Sequence, residues 1–215
     1  MRRTRSRGRA RPWARRTVEN ELRRFGFARI AGVDEVGRGC LAGPVVAAAV
    51  VLGPGDGLTG LRDSKLLTSV ERERLYDEIV ACCVAWAIGM REPEEIDRLN
   101  IHHASLEAMR DAVGKLTPLP DFVLVDAFRI PRLFIPQRGV VGGDRRCAGI
   151  AAASIIAKVT RDRRMIRLHE TDPRYGFDRH KGYATADHVA AMVQHGYSPA
   201  HRRSFRPSSL FDTIE

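Results

Sequence analysis

Ala28-Arg29-Ile30-Ala31-Gly32-Val33-Asp34-Glu35-Val36-Gly37-Arg38-Gly39 runs from an apolar segment into two adjacent acids and a glycine-flanked arginine. The part from Ala28 to Val36 reads as a strand, broken by Gly37 and Gly39. Val45 to Leu52 is a second apolar run, closed by the turn-forming Gly53-Pro54-Gly55-Asp56-Gly57. Two strands joined by a glycine-rich link predict a hairpin. Val84 to Met90, Phe122 to Val125 and Val140-Val141 read as three more strands. Helical patterns fill the intervals. Thr17 to Phe25 is a short one with Thr17 as its cap. Thr68 and Glu71 form a capping box for a helix to about Ala81, with Val70, Leu75 and Ile79 on one side. Asn100 caps a helix to Val113, stopped by Gly114. Ala148 to about Glu170 is the longest helix, and Thr185 to His195 the last. This order predicts an α/β fold: a mixed five-stranded sheet with flanking helices and a helical C-terminal extension.

Acids stand at the ends of three predicted strands: Asp34-Glu35, Asp126 and, after Gly142-Gly143, Asp144. Ligands of α/β sheets gather off strand ends. Each acid alone reads more readily as a turn or cap residue, a reading that weakens when three strands each end in an acid. Four carboxylates brought together repel one another, and a divalent cation relieves that repulsion. Mg2+ or Mn2+ prefers oxygen ligands, and no histidine stands in these segments, which argues against zinc. Two such ions about 4 Å apart can activate a water and stabilise the leaving oxygen of a phosphodiester. In Gly37-Arg38-Gly39, glycines let the backbone approach a ligand closely, and the arginine can reach a phosphate.

The formal net charge is +10. Eight arginines within residues 1–16, free of acids, carry +8 of it, so the rest nets only +2. A basic chain fits a polyanion partner. Residues 1–16 read as a basic disordered arm, residues 17–170 as the catalytic domain, and residues 171–215 as an extension that contacts substrate. Apolar residues make up 44%, enough for a core. Cys40, Cys82, Cys83 and Cys147 show no C-x-x-C spacing and read as reduced thiols of a cytoplasmic protein. The longest apolar run, near Leu41 to Leu52, contains Gly43 and Pro44 and is too short to span a membrane.

Together these segments resemble bacterial ribonuclease HII, the type 2 ribonuclease H. The resemblance rests on Gly32 to Gly43, Asp63-Ser64-Lys65, Val125-Asp126, Gly143-Asp144, Ala151 to Asp162, His180 to Thr185 and His201 to Phe205. It implies a ribonuclease H-like fold. It implies that Asp34, Glu35, Asp126 and Asp144 are the catalytic, metal-binding carboxylates. It implies cleavage of RNA–DNA hybrids and of duplex DNA with embedded ribonucleotides, 5′ of the ribonucleotide, leaving 3′-hydroxyl and 5′-phosphate ends. Gly37, Arg38, Gly39 and Tyr183 then recognise the 2′-hydroxyl, the group that separates RNA from DNA at one nucleotide. Two departures stand out. Asp126-Ala127-Phe128 replaces the family's Asp-Gly-Asn, and Gly142-Gly143-Asp144 replaces Lys-Gly-Asp, removing a positive charge near the fourth acid.

Other residues carry two readings each. Lys65 either contacts a phosphate or is solvated. Ser154, in a small-residue helix face, either packs on the sheet or lets a phosphate approach. Lys158, Arg161, Arg163 and Arg164 form a basic stripe or a solvated face, and Asp162 is a candidate for positioning metal or water. Lys181, between aromatics and bases, is a candidate substrate contact. A monomer is expected, with a sliding clamp as a possible partner through Ser209-Leu210-Phe211. A non-catalytic nucleic-acid-binding module and a different two-metal enzyme on the same fold are the competing functions.

Overall fold

The computed structural model describes residues 14, 16–55 and 58–205. Most of the basic arm, Asp56, Gly57 and Ser209-Leu210-Phe211 lie outside the described residues.

β1 (Ile30–Val36) and β2 (Val45–Val51) form the expected antiparallel hairpin. All seven residues of β2, VVAAAVV, are buried. A strand apolar on both faces needs a sheet covered on both sides. β2 accordingly has β1 on one edge and antiparallel β3 (Ala85–Arg91) on the other. β4 (Phe122–Asp126) lies parallel to β1, and β5 (Gln137–Val140) lies parallel to β4, in the order β3-β2-β1-β4-β5.

The helices α1 (Thr17–Arg24), α2 (Ser69–Cys82), α3 (Pro93–Leu99) and α4 (Ile101–Gly114) precede β4. The helices α5 (Gly143–Arg146), α6 (Ala148–Thr171), α7 (Phe177–His180) and α8 (Ala186–His195) follow β5. α4 covers one face of the sheet, setting Ala108, Met109, Ala112 and Val113 against Ala31, Val33, Ala47 and Val123. α6 and α2 cover the other, with Ala152, Ile155, Leu75 and Ile79 against Val46, Ala48 and Val50. Small residues let α6 press onto β1. A Cβ added at Gly32 would stand 2.0 Å from the Gly149 carbonyl carbon. The last described part of the chain packs Tyr175 and Phe177 onto Ala42 and Met165.

Several expectations need correction. The cap of α1 is Arg16, not Thr17, and it makes no side-chain cap bond. Val70 is 78% exposed rather than on the buried side of α2, because it lies in the first turn, ahead of the part that meets the sheet. α3 was not read from the sequence; a capping box of Glu92 and Glu95 starts it directly before α4. The last strand ends at Val140, and Asp144 comes from the short helix α5, after Gly142 turns the chain at a φ of +63°. Arg161 is part of no surface stripe: it is buried, and its guanidinium donates to the carbonyls of Pro44, Ala42 and Lys181. The Thr68–Glu71 capping box and the Asn100 cap form as expected. Cys40 and Cys147 are buried, and Cys82 and Cys83 are partly buried.

Candidate active site

Asp34 and Asp126 meet because their strands are parallel neighbours. The pairing of β1 with β4 runs to Val33 opposite Val125, so the next residue of each strand is an aspartate. Adjacent strands lie about 4.8 Å apart, which puts the two carboxylates side by side. Glu35 follows Asp34, and α5 brings Asp144. A cleft of about 340 Å³ opens over these residues and is lined by all four acids. Gly37, Arg38, Gly39, Lys65, Ser154 and Tyr183 line the same cleft. Of the residues assigned to the site, Lys181 is not brought in. Its Nζ donates to the Asp178 carbonyl, and its own carbonyl accepts from Arg161 Nη1 at 2.9 Å.

Local bonds hold this arrangement. Asp34 Oδ1 accepts the Glu35 N–H at 2.8 Å, and Asp126 Oδ1 accepts the Gly143 N–H at 2.8 Å. Ser154 hydrogen-bonds Asp34 and lies 2.9 Å from the Ser64 hydroxyl. Ser154 is thus buried and also lines the cleft. Arg38 Nη1 lies 3.5 Å from Glu35 Oε1, with its guanidinium 5.0 Å from the Phe128 ring centre. Lys158 lines the cleft, pairs with Asp162 at 2.7 Å, and sits 5.9 Å from the centre of the Tyr183 ring. Tyr183 is 40% exposed, and its phenol meets the buried Cys40 thiol.

Sequence reasoning missed Asp63 as a cleft residue. It lines the cleft, accepts the Lys65 N–H at 2.9 Å and lies against Asp144. Its only signal was its place in Asp63-Ser64-Lys65, ahead of a single helical turn.

Burial pushes the Asp34 carboxyl well above its ordinary range, and the Glu35 and Asp126 carboxylates push it further. Burial also raises Glu35, against the pull of Arg38. Burial and then Asp63 and Asp126 raise Asp144. One oxygen of Glu35, Oε2, is buried without a hydrogen-bond partner. An all-oxygen donor set, mutual repulsion and an orphaned carboxylate oxygen fit a hard divalent cation. Among the described residues no three acids, histidines or cysteines are already drawn in to one metal-binding point. The four carboxylates stand around the cleft.

Known proteins share this chain's sequence and fold. The family model "Ribonuclease HII" matches residues 31–208. A "Ribonuclease HII" of Burkholderia mallei (strain SAVP1) is 53% identical over 186 residues, 86% of this chain and 87% of that protein. The crystal structure of ribonuclease H2 from Pyrococcus horikoshii OT3 superposes with a TM-score of 0.71 at 25% identity, covering 86% of this chain and 96% of that one. The RNase HII chain solved in a complex with PCNA from Archaeoglobus fulgidus gives a TM-score of 0.68 at 28% identity, covering 86% and 99%.

Proposed function

The chain belongs to the ribonuclease HII family, and from that premise we propose that Asp34, Glu35, Asp126 and Asp144 are its catalytic, metal-holding carboxylates. The protein is a ribonuclease H, a divalent-metal-dependent endoribonuclease acting on RNA–DNA hybrids. This displaces the two competing readings, a mere binding module and a different nuclease of the same fold. We further read it as nicking 5′ of ribonucleotides embedded in duplex DNA, with Mg2+ or Mn2+ as the working ion.

One observation carries the assignment. The four acids, the Gly37-Arg38-Gly39 backbone and Tyr183 line a single cleft. A divalent cation in that cleft supplies positive charge to the scissile phosphate and its attacking water. The chain's own residues do the rest. Ser154 orients Asp34 through a hydrogen bond. Gly39, whose Cβ position faces open space, leaves its backbone bare for the 2′-hydroxyl, while Gly37 makes room for Arg161 behind the turn. The exposed face of Tyr183 can stack under the neighbouring sugar. Lys65 adds positive charge on the cleft wall, and Lys158, paired with Asp162, stands on the same wall. Tyr183 also supports the reading that the segment after residue 170 contacts substrate.

The deciding experiment is cleavage of labelled duplex DNA carrying one ribonucleotide, with products mapped to the nucleotide. Cutting on the 5′ side with 3′-hydroxyl ends is expected; equal cutting of the all-DNA duplex would sink the assignment. Two partner readings remain proposals. The Archaeoglobus relative was solved with PCNA, so a sliding clamp is a candidate partner through Ser209-Leu210-Phe211. Undiminished co-elution of a Phe211→Ala variant with the clamp would refute that contact. Among the described residues no helix is long and apolar enough to cross a membrane. A cytoplasmic monomer remains our reading, testable by fractionation and light scattering.

A further inference from the structure

His201 and Arg202 lie outside the cleft, yet both are tied to the elements that line it. Arg202 is 0% exposed, and its guanidinium spends its donors on main-chain carbonyls. Nη2 donates to Gly37 O at 2.6 Å and to Gly43 O at 2.8 Å. Nη1 donates to Arg38 O at 3.0 Å, and Nε to Gly43 O at 3.0 Å. In a planar trans peptide, the carbonyl of one residue and the N–H of the next point opposite ways. Arg202 therefore fixes the Gly37 and Arg38 carbonyls inward and turns the N–H groups of Arg38 and Gly39 away from itself. Arg38 and Gly39 line the cleft.

The neighbouring residue reaches Tyr183. The Ser198 N–H donates to His201 Nδ1 at 3.0 Å, which makes Nδ1 an acceptor and leaves the proton on Nε2. His201 Nε2–H then donates to His188 Nε2 at 3.1 Å. His188 in turn carries its proton on Nδ1 and donates it to the Tyr183 carbonyl at 2.8 Å. Every tautomer in this chain is dictated by its neighbour. The His180 ring stacks on His188 with centroids 4.4 Å apart, closing the open side. The backbone adds a further stitch, Leu41 N–H to Gly182 O at 2.8 Å.

We propose that His201 and Arg202 are positioning residues for 2′-hydroxyl recognition. Arg202 acts through the Gly37 and Arg38 carbonyls, and His201 acts through His188 on Tyr183. One dipeptide thereby holds both halves of the reader in register. The inference rests on the reading of Gly37, Arg38, Gly39 and Tyr183 as the 2′-hydroxyl contacts.

The test uses the full chain carrying Asp34→Asn to prevent cleavage. Affinity is measured for a duplex with one ribonucleotide and for the same duplex all in DNA. Arg202→Lys keeps the charge but cannot fork to three carbonyls. His201→Leu removes the relay. In both, the ratio of the two affinities is expected to fall at least about fivefold, the size of one neutral hydrogen bond, while affinity for the all-DNA duplex stays within about twofold. A preserved ratio overturns the proposal. Tyr183→Ala separates the two levels. If it too preserves the ratio, the underlying reading of the reader has failed; if it alone lowers the ratio, only the role of His201 and Arg202 has. Should the two variants not fold, His188 decides. His188→Asn retains a donor for the Tyr183 carbonyl and is expected to keep the ratio, whereas His188→Leu is expected to lose it. Equal ratios in that pair overturn the proposal.

Discussion

Asp34 illustrates how much one position is asked to do. It ends a strand, accepts an N–H from its neighbour, takes a hydrogen bond from Ser154, and is 8% exposed beside other carboxylates. Charge in such a place persists only with a cation to balance it. Mutating the groups that merely orient a metal ligand costs about 10–100-fold in affinity or activity. Asp34→Asn removes the charge of a proposed ligand itself. Its cleavage rate is expected to fall by more than about 100-fold, with affinity for a ribonucleotide-bearing duplex retained. Gel-based cleavage and fluorescence anisotropy read the two separately, and near-full cleavage would overturn the role. Phe128 answers one doubt that the sequence raised. It departs from the Asp-Gly-Asn that the resemblance led us to expect, and its ring lies against the Arg38 guanidinium. The replacement thus braces Arg38 on the cleft wall.

At the scale of elements, the close approach of α6 to β1 sets the depth of the cleft. Gly32→Ala puts a methyl into the Gly149 backbone, where no flexible side chain can yield. A loss at or above the upper end of about 1–3 kcal/mol is expected, read as a lower urea midpoint. An unchanged midpoint would mean that the helix rides higher above the strand. The three histidines between α7, α8 and the segment after them give a pH signature. Burial pushes His188 and His201 down to about 4, and His180 also falls. The unfolded chain binds these protons near pH 6.5 and the folded chain does not, so this contribution to stability is complete above about 6.5 and is lost as pH falls toward 4. Asp34, Glu35 and Asp144, raised in the fold, act in the opposite sense. The histidine share is therefore read against His188→Asn. Wild type is expected to lose about 2 kcal/mol more than that variant between pH 7 and 5, by urea denaturation; parallel losses would refute it. The same elements show what the sequence exposed. β1, β2 and β3 were legible because apolar runs between glycines leave few alternatives. β5 reads Gln137-Arg138-Gly139-Val140, an edge strand with one buried apolar residue, so its pattern was weak and its position slipped. The acids were legible as strand-end residues next to glycines. Asp63 was not, and neither was the His188–His201 relay, whose partners stand 13 residues apart without a period.

For the whole molecule, charge is divided unevenly. The described body lines its cleft with acids, while six of the arginines precede residue 14. If the arm adds nonspecific attraction, deleting residues 1–13 leaves kcat within about twofold. The same deletion flattens the slope of log affinity against log salt, by about 0.9 for each phosphate that the arm neutralises. A salt titration of both proteins checks this, and an unchanged slope would confine the arm to solubility. The order in which the chain is made gives the Arg202 clamp another meaning. The acids and Gly37-Arg38-Gly39 all lie within the first 144 residues, but the guanidinium that fixes the glycine turn is 165 residues downstream of Gly37. Contacts of that separation form late and slowly, and translation adds only about 5–20 residues per second. A nascent chain, or one clipped after Ser198, therefore owns all four acids of the cleft and lacks the guanidinium that holds the Gly37 and Arg38 carbonyls. If the proposed roles hold, the chain completes its carboxylate cleft first and the clamp on its glycine turn last.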